Sequence, residues 1–273
     1  MDGGDLPTSR QAVGKVRLRT GVTLAFTDQG DPAGPAVLLL HAWVESQRSF
    51  DRLTPLLPTS PRVLTLDQRG HGESDKPADG YDLETLAGDV VAFLDAMGLA
   101  SVVLAGSSSG GYVAQQVAIG HPHRVAGLVL IGSPRSLHRR PPFADQIDQL
   151  ADPVDPRWVR EFLAWFPLCH EVPDWYLDDR VREAARIPAT VWQRTLAGLI
   201  TSPPPTELGT ISAPTLILWG DRDGLLARDD QIALAAAIPN SQLLIYEGVG
   251  HLVLWEQPER VASDIARFLI RSR

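Results

Sequence analysis

The sequence predicts an α/β fold: a doubly wound, mostly parallel eight-stranded sheet, with a helical insertion near its carboxyl-terminal third. Three observations carry this. Short, nearly continuous apolar runs recur along the 273 residues, as expected of strands buried on both faces. Helical periodicity fills the gaps between them, which is the pattern of strands joined by crossover helices. That rhythm breaks once, between about Pro134 and Leu208, and then resumes.

Taken in order, Val16 to Arg19 and Val22 to Thr27 alternate about a Thr20-Gly21 turn and read as an antiparallel hairpin. Ala36 to Leu40, Val63 to Leu66, Val102 to Ala105 and Leu128 to Ile131 are the buried strands that follow. Leu83 to Met97 and Tyr112 to Ile119 are helices between them. Thr215 to Leu218 and Leu243 to Tyr246 complete the sheet, and Pro258 to Ile270 is an amphipathic last helix. The interrupting stretch holds Arg139-Arg140-Pro141-Pro142 and Pro203-Pro204-Pro205 and shows no strand pattern. It reads as a helical cap, residues 134–208, set into a core of residues 1–133 and 209–273.

Composition narrows the function classes. The chain is 44% hydrophobic and 21% charged, ordinary for a globular protein with a sizeable core, and no window approaches a membrane span. A formal charge of −8 opposes both nucleic acid and an anionic membrane surface. The opening MDGGDLPTSR lacks the pattern of a secretory signal, and a lone Cys169 permits no intrachain disulfide. These features together point to a cytoplasmic protein whose partner is a small molecule, as monomer or homodimer. Cys169 itself, in an aromatic stretch, reads as a small buried hydrophobe. His121, His123 and His138 lack ligand spacing, so neither metal nor cofactor is expected.

The chemistry lies at strand ends. Val102 to Ala105 runs straight into Gly106-Ser107-Ser108-Ser109-Gly110-Gly111 and then a helix. So tight a turn needs small neighbours around a central residue whose side chain is pushed into the cleft. Ser108 is that residue, and the helix N-terminus behind it favours developing negative charge. Ser107 and Ser109 should aim their side chains away. A serine nucleophile requires a base. Of seven histidines, His251 in Gly248-Val249-Gly250-His251 follows the last strand, and Asp223 in Trp219-Gly220-Asp221-Arg222-Asp223 follows the one before. An aspartate there would fix the histidine's tautomer and stabilise its cation.

With these segments in place the sequence resembles the α/β-hydrolase superfamily over nearly the whole chain outside the insertion. The resemblance rests on Leu40-His41-Ala42-Trp43, Asp67-Gln68-Arg69-Gly70-His71-Gly72-Glu73-Ser74, the Ser108 turn, the Gly-Asp-Arg-Asp segment, and Gly250-His251 with Trp255-Glu256-Gln257-Pro258. It implies Ser108, His251 and Asp223 as catalytic residues, with Asp221 bracing its loop. It also implies an oxyanion hole from the backbone amides of Trp43 and Ser109, and structural roles for His41 and His71. One departure stands out: relatives carry glycine where this chain has Ala42, whose methyl narrows the pocket or shifts the Trp43 amide.

The insertion holds four of the seven tryptophans, Trp158, Trp165, Trp175 and Trp192. Trp158, Phe162, Trp165 and Phe166 fall on one face of a helix continued through all four. An aromatic roof favours apolar or aromatic substrates. Candidate pocket residues are Ala42, Glu45, Trp165, Trp192 and Leu252; Arg135, Arg139 and Arg140 read as a solvated charge run. The expected activity is hydrolysis of a carboxylic ester or lactone through an acyl-enzyme. Carbon–carbon bond hydrolysis by the same three residues stays open, as does a non-catalytic ligand receptor on a hydrolase scaffold. Dehalogenase and epoxide-hydrolase chemistry would need an aspartate where Ser108 stands.

Overall fold

A computed structural model describes residues 12–138 and 140–271. The readings for the first ten residues and for Arg139 lie outside that range. The sheet has eight strands: β1 (Ala12–Arg17), β2 (Thr23–Gly30), β3 (Ala36–Leu40), β4 (Arg62–Leu66), β5 (Val102–Ser107), β6 (Val125–Ile131), β7 (Thr215–Gly220) and β8 (Ser241–Tyr246). Their order is β1-β2-β4-β3-β5-β6-β7-β8. β1 and β2 pair antiparallel, β2 meets β4 antiparallel, and every later pairing is parallel.

The chain leaves β3 for β4 on one side and returns to β5 on the other. At such a reversal the loops leaving the two central strands diverge and open a crevice at their carboxyl ends. The segments after β3 and β5, which carry Trp43 and Ser108, flank that crevice.

The apolar runs alternate across the sheet as pleating requires. Leu38, Leu40, Leu64, Leu104 and Leu128 point to the face covered by α1 (Leu83–Ala96) and α2 (Ser109–Gly120). Val37, Leu39, Val63, Val103 and Val129 point to the other, where Val261, Ile265 and Leu269 of the last helix pack. All six residues of β5 are buried, while the edge strand β8 is mostly half-exposed. α1 starts where Asp82 accepts the Thr85 N–H at 2.8 Å, a side-chain cap on an otherwise unpaired donor.

Between β6 and β7 lie α3 (Ala144–Asp148), α4 (Pro156–Phe162), α5 (Asp174–Ala185), α6 (Ala189–Thr201) and α7 (Pro205–Leu208); α8 (Arg228–Ala237), α9 (Val253–Glu256) and α10 (Pro258–Arg271) complete the chain. The stretch 134–208 contains no strand among its described residues. Its helices bury a cluster of their own, Phe143, Ile147, Val159, Phe162, Val181 and Trp192, and Trp43 packs against it.

Several boundaries differ from the sequence reading, among them β6, which starts at Val125 rather than Leu128, and two others have a clear physical reason. β1 ends at Arg17, and Leu18 and Arg19 belong to the turn, where the Leu18 N–H donates to the Val22 carbonyl at 2.8 Å. β2 runs on to Gly30 because its second half pairs with β4, a long-range contact that local alternation does not reveal.

Candidate active site

β5 delivers the chain to Ser108, which sits at φ 48° and ψ −118°, a strained setting for a residue with a side chain. Glycine is required on both sides. A Cβ at Gly106 would lie 2.4 Å from the Gly110 backbone, and one at Gly110 would lie 2.4 Å from the Leu40 and His41 carbonyl oxygens. The turn is held by the Ser108 N–H donating to the Ile131 carbonyl at 2.8 Å. α2 starts at the next residue, so its N-terminus faces the serine hydroxyl.

Ser108 Oγ is 3.1 Å from His251 Nε2, and His251 Nδ1 is 2.8 Å from Asp223 Oδ2. The other Asp223 oxygen accepts the N–H groups of Leu225 and Leu226 at 2.8 and 2.9 Å. Both oxygens of a carboxylate with no solvent exposure are thereby satisfied. An ionised aspartate only accepts, so His251 Nδ1 carries the proton and Nε2 presents its lone pair to the serine. Three residues from the ends of three strands therefore form one hydrogen-bonded line.

The His251 loop is fixed from below. Glu256 Oε1 accepts the Gly250 N–H at 3.0 Å, while Oε2 accepts the Cys169 and His170 N–H groups, each at 3.0 Å. Asp221 Oδ1 accepts the Gly248 N–H at 2.7 Å, the bracing role expected of it. Above, the Phe166 ring lies 5.5 Å from the imidazole at 32°.

The two amides expected to hold an oxyanion have different surroundings. The Trp43 N–H donates to Ser109 Oγ at 2.6 Å. The Ser109 side chain thus points at the Trp43 amide and borders the cavity, rather than aiming away as the turn suggested. Val44 follows at φ 61°, a left-handed setting that is costly for a β-branched residue.

Above the serine lies a cavity of about 540 Å³. Of the five candidate pocket residues, Ala42, Glu45, Trp192 and Leu252 border it. Trp165 does not: α4 ends at Phe162, a single 3-10 turn follows, and Trp165 is carried outward to 40% exposure against Phe143. The four-residue periodicity ran across a helix end that local sequence does not mark. Trp43 is boxed by Phe143, Phe162 and Trp192 at centroid distances of 6.0, 6.1 and 5.5 Å. Cys169 is exposed rather than buried, since its turn is pinned through its backbone to Glu256. Arg140 pairs with Asp145 and Asp148, and Arg135 lies 3.5 Å from Glu207.

His41 and His71 are buried side by side, 5.1 Å between ring centroids. His41 Nε2 accepts the Gln68 N–H at 3.0 Å, and His71 Nδ1 is 2.8 Å from the Arg69 carbonyl. Burial drives both below the ordinary histidine value, His71 to about 4. They tie the loop after β3 to the loop after β4.

Sequence reasoning placed Phe166 in the aromatic roof without its contact to His251, and missed Arg180 and the clamp made by Glu256. Glu256 alone left a signal, since it stands in the Trp255-Glu256-Gln257-Pro258 segment.

A family model described as the alpha/beta hydrolase fold matches residues 35–178 and 174–258. The AB hydrolase superfamily protein YisY of Bacillus subtilis is 28% identical over 269 residues, covering 93% of this chain and 97% of that protein. A non-heme chloroperoxidase of Streptomyces lividans is 28% identical over 282 residues, covering 94% and 99%. Among solved structures, a thermophilic esterase from Thermogutta terrifontis superposes with a TM-score of 0.81 at 26% identity, covering 96% of this chain and 99% of that one. The eight-stranded sheet and the family match agree, and the chain belongs to the α/β-hydrolase fold family.

Proposed function

We propose that the protein is a serine hydrolase that cleaves a carboxylic ester or lactone of a small, largely apolar or aromatic substrate, with residues 134–208 as the cap over its site. The observation that carries this reading is the line from Ser108 through His251 to Asp223, at 3.1 and 2.8 Å, with a strained serine at a helix N-terminus.

In this mechanism His251 Nε2 takes the Ser108 proton as Oγ attacks the carbonyl carbon. The imidazolium that forms is stabilised by Asp223, already committed to Nδ1–H. Negative charge on the carbonyl oxygen meets the Ser109 amide at the start of α2 and the Trp43 amide once Ser109 Oγ gives way. One such donor is worth about 3 to 4 kcal/mol in the transition state. His251 then protonates the leaving alkoxide, and the acyl group stays on Ser108. A water deprotonated by the same imidazole attacks the acyl-enzyme and releases the acid. The cavity of about 540 Å³ suits a compact substrate, and its aromatic wall around Trp43 favours an apolar acyl group.

Steady-state hydrolysis of p-nitrophenyl esters of increasing acyl length tests the reading. Turnover that declines for long chains and vanishes in Ser108→Ala supports it; a Ser108→Ala variant as active as the wild type contradicts it.

A further inference from the structure

Four polar atoms on residues that border the active-site cavity are buried without a hydrogen-bond partner: Trp43 Nε1, Glu45 Oε2, Arg180 Nε and Trp255 Nε1. Folded proteins rarely leave such groups unpaired, because each forfeits its hydration. Glu45 and Arg180 are only 8% and 4% exposed, and charged side chains are seldom buried so deeply without a use.

Three of the four form one wall. Arg180 Nη1 donates to Ser49 Oγ at 3.0 Å, and the Ser49 hydroxyl bonds the Glu45 carboxyl. The guanidinium lies 4.9 Å above the Tyr176 ring, which also meets the Trp255 indole at 5.5 Å. Tyr176 is itself anchored by its hydroxyl donating to the Ser49 carbonyl at 2.7 Å. Arg180 also pairs with Asp179, so its charge is answered away from the cavity. Desolvation holds the Glu45 carboxyl above its ordinary range against the pull of Ser49 and Arg180.

This wall stands on the His251 side of the site. Trp255 lies four residues beyond His251, in α9, and Glu45 is close enough to His251 for the two charges to interact. Because His251 protonates the departing oxygen in the mechanism above, the alcohol half of an ester occupies that side. The Trp43, Phe143, Phe162 and Trp192 rings form a separate, apolar wall, which suits the acyl half.

A carboxylate on the alcohol would face Glu45, and an ammonium would face Arg180. A hydroxyl satisfies both, giving its proton to the carboxyl and taking one from an N–H of Arg180 or Trp255. Resting on the serine-hydrolase reading, we infer that the preferred substrate is a short-chain ester whose alcohol half carries a free hydroxyl next to the ester oxygen, as in a glycerol monoester, recognised by Glu45, Arg180 and Trp255.

The test compares kcat/KM for glycerol 1-monobutyrate with that for 2-methylbutyl butyrate, where methyl groups replace the two hydroxyls. The wild type is expected to favour the glycerol ester at least tenfold. Glu45→Leu should bring the ratio within about threefold of unity, and Trp255→Phe, which removes the indole N–H and keeps an aromatic ring, should lower it severalfold. A wild-type ratio near one, or a preference unchanged in Glu45→Leu, overturns the inference. So does turnover of p-nitrophenyl butyrate with neither alkyl ester accepted. Should Glu45→Leu fail to fold, the wild-type ratio and Trp255→Phe decide. Failure of a fluorophosphonate to label Ser108 would instead remove the underlying reading, and the inference with it.

Discussion

The backbone N–H of Trp43 donates to the side-chain oxygen of Ser109 at 2.6 Å. One of the two amides that would meet a developing oxyanion is therefore satisfied inside the protein, by the residue that supplies the other. A substrate carbonyl must compete with that hydroxyl, and a donor that has to be freed is worth less than one already aimed. Ser109→Ala removes the competitor and keeps its own backbone N–H. Its kcat on a p-nitrophenyl ester should rise about 3- to 10-fold, within the energy of one exchanged hydrogen bond. A fall of tenfold or more would show that the Ser109 hydroxyl is itself the donor.

In the proposed mechanism Asp223 acts on the reaction only through His251. Asp223→Asn should preserve the fold, because the carboxamide oxygen can still accept from Leu225 and Leu226. It also offers an N–H to His251 Nδ1, which favours the wrong tautomer. The expected loss in kcat is on the order of 10⁴, with KM little changed. A loss under tenfold would show that His251 needs no such partner.

Glu256 joins the His251 loop to the turn at Cys169 and His170 through three backbone N–H groups. Removing a buried acceptor strands those donors. Glu256→Ala should cost roughly 3 kcal/mol in urea unfolding, and Glu256→Gln about a third of that. An Ala variant as stable as the wild type would contradict the clamp.

His71 gives a pH signature. Its folded value of about 4 lies below the ordinary 6.5, so the unfolded chain binds this proton first as pH falls. Stability from this residue is complete above about pH 6.5 and is lost towards pH 4. Asp67, pushed up to about 6 by burial, slopes the opposite way in the same window. A difference curve therefore isolates His71. Between pH 7 and pH 5 the wild type should lose about 2 kcal/mol more than His71→Asn. Parallel curves would place the proton elsewhere.

Much of this site is legible in the sequence because its chemistry is local. Ser108 needs glycines two positions either side, and the backbone contacts of Gly106 and Gly110 show why. Asp223 and His251 each follow a strand that local apolar runs identify. Ala42, Glu45, Trp192 and Leu252, the residues that local sequence points to as pocket lining, border the cavity. What failed depended on tertiary placement. Trp165 continues an apolar spacing past the end of α4, where the chain has already turned. Arg180, in Asp178-Asp179-Arg180, looks like part of a solvated charged face, yet Tyr176 and Ser49 draw it inside. The Ser109 rotamer is set by Trp43, a residue from another strand's loop. β2 ends where β4 stops pairing with it, and no periodicity within β2 records that.

The reading of Ser108 as an activated nucleophile is tested most directly by intact-protein mass spectrometry after reaction with a fluorophosphonate. A single adduct on the wild type, mapped to Ser108, absent in Ser108→Ala and formed at least a hundredfold more slowly in His251→Ala, is the expected result. An unlabelled wild type, or an adduct that persists in Ser108→Ala, would contradict it.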